Sequence, residues 1–178
     1  MTKHKVFETA RLILKPTSRE DAAFFFELLN SPTWIKYIGD RNIKTIEDAR
    51  ALIVAKIILH REQFGYSNYT VIRKLDNLKI GSCGLYNREG VDGVDISFAF
   101  LPEYEKRGYA FEAASRIKEA AFIDFGLKVL SAYTTTENIP SQRLLEKLGM
   151  KLYGTTKLPN QDQEFLVYIT KKNKLARK

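Results

Sequence analysis

Apolar and polar positions along this chain recur at two different periods, and the switches between them mark its elements. Leu12 to Leu14 reads as a short strand, and the polar run Thr17, Ser18, Glu20 and Asp21 signals the cap of a helix burying Phe25, Leu28 and Leu29. Asn30-Ser31-Pro32 ends it. Thr45 with Asp48 opens a second helix, in which Ala49, Leu52, Ile53 and Ile57 keep helical spacing as far as Gly65. A β-rich middle follows: Tyr69 to Arg73, the turn at Asp76-Asn77, Lys79 to Tyr86, and then a run in which Val94, Ile96, Phe98 and Phe100 alternate with Asp95, Ser97, Ala99 and Leu101.

The period returns to helical between Arg107 and Phe125, with Ala110, Ala113, Ala114, Ile117 and Ala121 on one face and Gly126 as the cap. Val129 to Thr134 is a strand. Beyond Asn138-Ile139-Pro140 a short helix turns Leu144, Leu145 and Leu148 inward, and Lys151 to Thr155 and Phe165 to Thr170 close the chain as strands. The fold class expected is α/β (α+β): a mixed, twisted sheet of about seven strands with helices on both faces.

The length of 178 residues suits one domain, expected over residues 1–170, and composition narrows its chemistry. A single cysteine, Cys83, sits inside an apolar strand, where a core role is expected. With only His4 and His60 to supply imidazole, no metal centre and no histidine-based triad is expected. No signal-peptide core precedes residue 30, and the stretch from Leu52 to Leu59 is broken by Lys56, so the expectation is a cytoplasmic protein without a membrane span. The net charge is +8, but Lys171 to Lys178 carry five of the positive charges and no acid, which reads as a basic C-terminal tail, residues 171–178. A nucleic-acid surface is therefore not expected.

The segment with chemistry in it is Asp95 to Ala114, where a strand passes through Pro102 into a basic, glycine-containing turn and then a helix. Amides at a helix start point one way, the helix dipole adds about half a positive charge, and Gly108 admits a phosphate without a Cβ in its path. Glu105-Lys106-Arg107-Gly108-Tyr109-Ala110 resembles the pyrophosphate loop of the GNAT acetyltransferases, whose pattern is Gln/Arg-x-x-Gly-x-Gly/Ala. Segments 8–14 (ETARLIL), 80–85 (IGSCGL), 138–141 (NIPS) and 145–150 (LEKLGM) resemble segments of the RimJ/RimL-like branch of that family, so the resemblance spans about residues 7–170. Glu105 departs from the pattern, placing an acid where the family prefers Gln or Arg.

The resemblance implies an acetyl-CoA-dependent N-acetyltransferase acting on a primary amine, either a protein N-terminus or a small molecule. It implies that pantetheine lies along the strand at Phe98, Ala99, Phe100 and Leu101, with an amide near Phe98 polarising the thioester carbonyl, and that Lys106, Arg107, Gly108, Tyr109 and Ala110 hold the diphosphate. Asn138 and Ser141 match the family's Asn-x-x-Ser, which implies a pantetheine contact for the amide and protonation of the leaving thiolate for the hydroxyl. A helix cap and its first turn explain the same two residues.

Asp95 is the first candidate for the base that deprotonates the acceptor, with Glu164 second; a salt-bridged strand residue is the alternative for Asp95. Trp34 and Tyr37 are candidates for the acceptor wall, or for core. The rival to an enzyme is a non-catalytic module that retains CoA or a basic protein that engages RNA. The acceptor's identity and the oligomeric state, a homodimer included, stay open.

Overall fold

The computed structural model describes residues 4–172. Strands β1 (Phe7–Glu8) and β2 (Leu12–Pro16) open the chain. The Asp21 carboxylate accepts the backbone N–H of Ser18 at 2.9 Å and so caps the turn that leads into helix α1 (Ala22–Leu29). Ser31 caps a further helix, α2 (Pro32–Tyr37), with Pro32 in its first turn. The hydrophobic pattern gave no sign of α2, because six residues are too few to display a helical period.

Thr45 and Asp48 exchange reciprocal capping bonds at the start of α3 (Ile46–Leu52). The helix widens to a π-type turn over Ile53–Ile58 and continues as α4 (Leu59–Phe64) until Gly65, at φ +81°, ends it. Next come β3 (Asn68–Arg73), β4 (Leu78–Tyr86) and β5 (Asp95–Phe100). The remainder is α5 (Tyr109–Ile123), β6 (Val129–Thr134), α6 (Ile139–Lys147), β7 (Lys151–Lys157) and β8 (Glu164–Lys171).

Among the described residues eight strands form one sheet in the order β1-β2-β3-β4-β5-β6-β8-β7. The strand beyond the seven expected is the two-residue β1, too short to register as an alternation. All neighbours are antiparallel except β5 and β6. The expected tail begins inside the sheet: Lys171 pairs with Val129, and the Lys172 amide donates to the Lys128 carbonyl at 2.9 Å. Residues 173–178 of that tail lie outside the described residues.

Alternation along β5 divides the core in two. Ile96, Phe98 and Phe100 face α5 and α6, where Ala113, Ala114, Ile117 and Leu145 are buried. Ala99 and Leu101 face the other way, toward Phe25, Leu28, Ala49 and Ile53 of α1 and the α3 helix. Helices thus cover both faces. Gly81 of β4 has its reason in this packing, because a Cβ there would lie only 2.4 Å from the Phe100 ring.

Candidate active site

The one parallel junction of the sheet is also its shortest ladder. The Ser131 amide donates to the Val94 carbonyl at 2.9 Å, and Asp95 opposite Ser131 is the sole register pair joining β5 to β6. Beyond it the two strands diverge. On its other edge β5 is paired with β4 from Asp95 to Phe100. The Leu101 amide donates to Ile80 at 3.0 Å, so the odd-numbered amides of β5 point to β4; of the even-numbered ones, that of Ile96 belongs to the bridge with Ser131, and those of Phe98 and Phe100 point into the gap.

That gap opens on a cavity of about 1800 Å³. Trp34, Tyr37 and His60 line it from one helical layer, and Ala110, Phe111 and Leu144 from the other. Since the two layers cover opposite faces, the cavity runs through the sheet at the β5–β6 divergence. Phe98, Ala99 and Phe100 line it, whereas Leu101 is buried in the core beside α1.

At the end of β5 the turn is built from left-handed residues, Lys106 at φ +58° and Gly108 at φ +80°. Gly108 is the N-cap of α5. The loop is braced from β2's side of the sheet by Arg11, for which no local pattern in the chain signals a role. Arg11 donates from Nη1 to the Arg107 carbonyl at 3.1 Å, lies 4.4 Å from the Tyr109 ring centroid, and is fixed by Glu112 at 2.6 Å. Burial pushes the Glu112 carboxyl up, but bonds from Thr9 and Arg11 outweigh it and hold the group below its ordinary value. Glu105, Lys106, Gly108 and Ala110 line the cavity; Arg107 is exposed and Tyr109 is buried, and neither lines it.

Across the gap, Asn138 and Ser141 line the cavity from the start of α6. Asn138 Oδ1 accepts the Ser141 amide at 3.2 Å, a helix cap that leaves the amide Nδ2 and the Ser141 hydroxyl for other partners.

The candidate bases are placed differently. Asp95 is only 3% exposed, and Arg88 holds both its oxygens, Nε to Oδ1 at 2.7 Å and Nη2 to Oδ2 at 2.8 Å. Burial pushes its carboxyl up from the ordinary value while Arg88 pulls it back, with a net upward direction. Arg88 lines the cavity and Asp95 does not, so Asp95 reaches the cavity only through Arg88. Glu164 is exposed at the start of β8, accepts the Thr155 hydroxyl at 3.0 Å and lies outside the cavity lining.

His60, one of the two imidazoles too few for a metal centre or a histidine-based triad, lies in the wall. Its Nε2 accepts the Asn87 amide at 2.9 Å, so Nδ1 carries the proton and donates to the Tyr66 carbonyl at 2.9 Å. Burial lowers its pKa below the ordinary value despite the Tyr66 bond and nearby Asp95. Both ring nitrogens are occupied. Among the described residues no group of three or more His, Cys, Asp or Glu could hold a metal, and no helix is long and apolar enough to cross a membrane.

Residues 11–151 match the family model for the acetyltransferase (GNAT) domain. The chain belongs to the GNAT acetyltransferase family. An uncharacterized N-acetyltransferase of Bacillus subtilis, YnaD, is 32% identical over 82% of each chain. Among solved structures, a GNAT-family acetyltransferase from Bacillus anthracis superposes with a TM-score of 0.77 at 26% identity, covering 94% of this chain and 98% of that one. RimL, a ribosomal L7/L12 α-N-protein acetyltransferase solved with coenzyme A, shares the fold at a TM-score of 0.79 and 13% identity, over 94% of this chain and 98% of its own. This GNAT chain is an acetyltransferase whose divergent β5–β6 junction and left-handed loop meet in one cavity.

Proposed function

We propose that this protein transfers acetyl from acetyl-CoA directly to a primary amine, with the thioester and the amine entering the cavity from opposite faces of the sheet. The observation that carries the reading is the passage through the sheet, lined by both helical layers. On the α5–α6 side the exposed amides of the Gly108 turn and Lys106 suit a diphosphate. The free amides of Phe98 and Phe100 suit the peptide-like groups of pantetheine, which would complete the strand edge that β6 abandons. The Phe98 amide is the donor we assign to the thioester carbonyl.

Nitrogen attacks the carbonyl carbon, the carbon–sulfur bond breaks, and the thiolate takes a proton, for which the Ser141 hydroxyl is the source we assign. The proton lost by the amine is the harder account. Glu89 and Glu105 are the only carboxylates among the cavity-lining residues described. Asp95 serves as a base only if its pair with Arg88 opens; within the pair it positions Arg88. An acceptor that needs little help is therefore favoured: an α-amine of pKa about 8 is about one-tenth neutral at pH 7, and a lysine-like amine of pKa about 10.4 about 250-fold less so. Trp34 and Tyr37 would form the acceptor wall.

The test is acetyl-CoA-dependent thiol release over a panel of α-amine peptides, N-blocked lysine peptides and small amines, with mass spectrometry of the products. Acetylation of α-amines ahead of lysine side chains is expected. Transfer to none of the amines by protein that binds acetyl-CoA would remove the amine from the proposal.

A further inference from the structure

The mouth of the cavity on the α2–α4 side carries an excess of positive charge. Lys36 on α2, Arg41 just after it and Lys56 in the wide turn between α3 and α4 are exposed and line the cavity. None of the three is among the ion pairs of the described residues, which engage Lys5, Arg11, Arg50, Arg73, Lys74, Lys79, Arg88 and Arg116. Lys36 finds only the ring of Tyr37, at 4.8 Å. Of the acids on these elements and the turns beside them, Asp40 accepts the Asn42 amide, Asp48 caps α3, Glu47 pairs with Arg50, and Glu62 of α4 lies outside the cavity lining. Glu89 is the one carboxylate lining this side, and the fourth cation, Arg88, is neutralised by Asp95.

Three unpaired cations on a concave rim focus a positive field on whatever enters. We propose that the acceptor carries carboxylates close to its amine, and this rests on the amine-transfer reading above. An acidic amino-terminal segment and a free acidic amino acid share that chemistry. Polyamines and aminoglycosides, which place several ammonium groups beside the reacting one, are repelled by the same rim.

The experiment compares kcat/KM for five acceptors: a peptide beginning with alanine followed by aspartate and glutamate, the same peptide with glutamines or with lysines there, free aspartate, and spermidine. The acidic peptide is expected to exceed the lysine peptide by at least about tenfold at low salt, with the ratio shrinking as salt is added. In the double variant Arg41→Glu, Lys56→Glu the ratio should fall toward one or invert. Free aspartate outpacing the acidic peptide supports the anionic acceptor and assigns it to a small molecule. Equal use of the acidic and lysine peptides, preference for spermidine, or a ratio unmoved by the double variant overturns the inference while leaving amine transfer standing. No turnover of any of the five by protein that binds acetyl-CoA overturns both.

Discussion

Replacing Gly108 by valine tests the diphosphate loop where its geometry is least replaceable. The residue sits at φ +80°, a region that costs an L-residue about 1–2 kcal/mol and a β-branched one more. A Cβ there would also lie 3.3 Å from Arg11 Nη2, tighter than ordinary contact. Arg11 cannot simply swing away, because the Arg107 carbonyl, Glu112 and the Tyr109 ring all hold it. Two responses are open to the chain. If the loop keeps its shape, the strain appears as stability, and at about 2–4 °C per kcal/mol for a domain of this size Tm falls by roughly 2–8 °C.

If instead φ relaxes to negative values, the amides at the start of α5 rotate away from the phosphate. Each hydrogen bond to a charged group is worth about 1.5–3 kcal/mol, so loss of one weakens acetyl-CoA by tenfold or more. Relaxation is the expected response. Gly126→Val is the control: it places valine in the same backbone region, at φ +68° with open space around it and away from the cavity lining. It should lower Tm and leave affinity alone. Calorimetric titration of acetyl-CoA and thermal melts on both variants make the comparison. Wild-type affinity in a folded Gly108→Val protein would refute the assignment of the diphosphate to this loop.

Ser141→Ala is expected to lower kcat with the acetyl-CoA dissociation constant within a few-fold of wild type, whereas Asn138→Ala should weaken acetyl-CoA binding and, by uncapping α6, cost about 1 kcal/mol of stability in denaturant titration. Asp95→Asn turns an amide N–H₂ toward a guanidinium donor, so a destabilisation of about 3 kcal/mol is expected, with the shape of the kcat/KM pH profile retained; a profile displaced to higher pH would return Asp95 to the role of base. His60 adds an acid-sensitive step. Its folded pKa lies below its ordinary 6.5, so between the two values the unfolded chain binds more protons, and its contribution, complete above pH 6.5, is lost as pH falls through the folded pKa. The urea midpoint should therefore drop as pH falls below 6.5, and His60→Gln should flatten that slope.

Local signals carried much of the architecture. The capping pair Thr45 and Asp48, the alternation through Phe100 and the small-residue face of α5 are each written within one or two turns of chain, and each element formed where its pattern stood. The glycine-containing basic turn was equally local, since the need for a left-handed residue shows in Gly108 itself. The elements missed, β1 and α2, are shorter than the period that would reveal them.

Tertiary structure alone decided the neighbours. Asp95 looked like a polar-face acid from its alternation, yet the turn after β4 returns Arg88 onto both its oxygens and the pair is buried. Arg11 and Glu112 lie 101 residues apart in sequence, and only the packing of β2 against α5 turns them into a brace for the loop. The cavity itself has no signature in the chain. It exists because β5 and β6 join at a single register pair and then part, and a divergence between strands is a property of their packing, which no periodicity within either strand encodes.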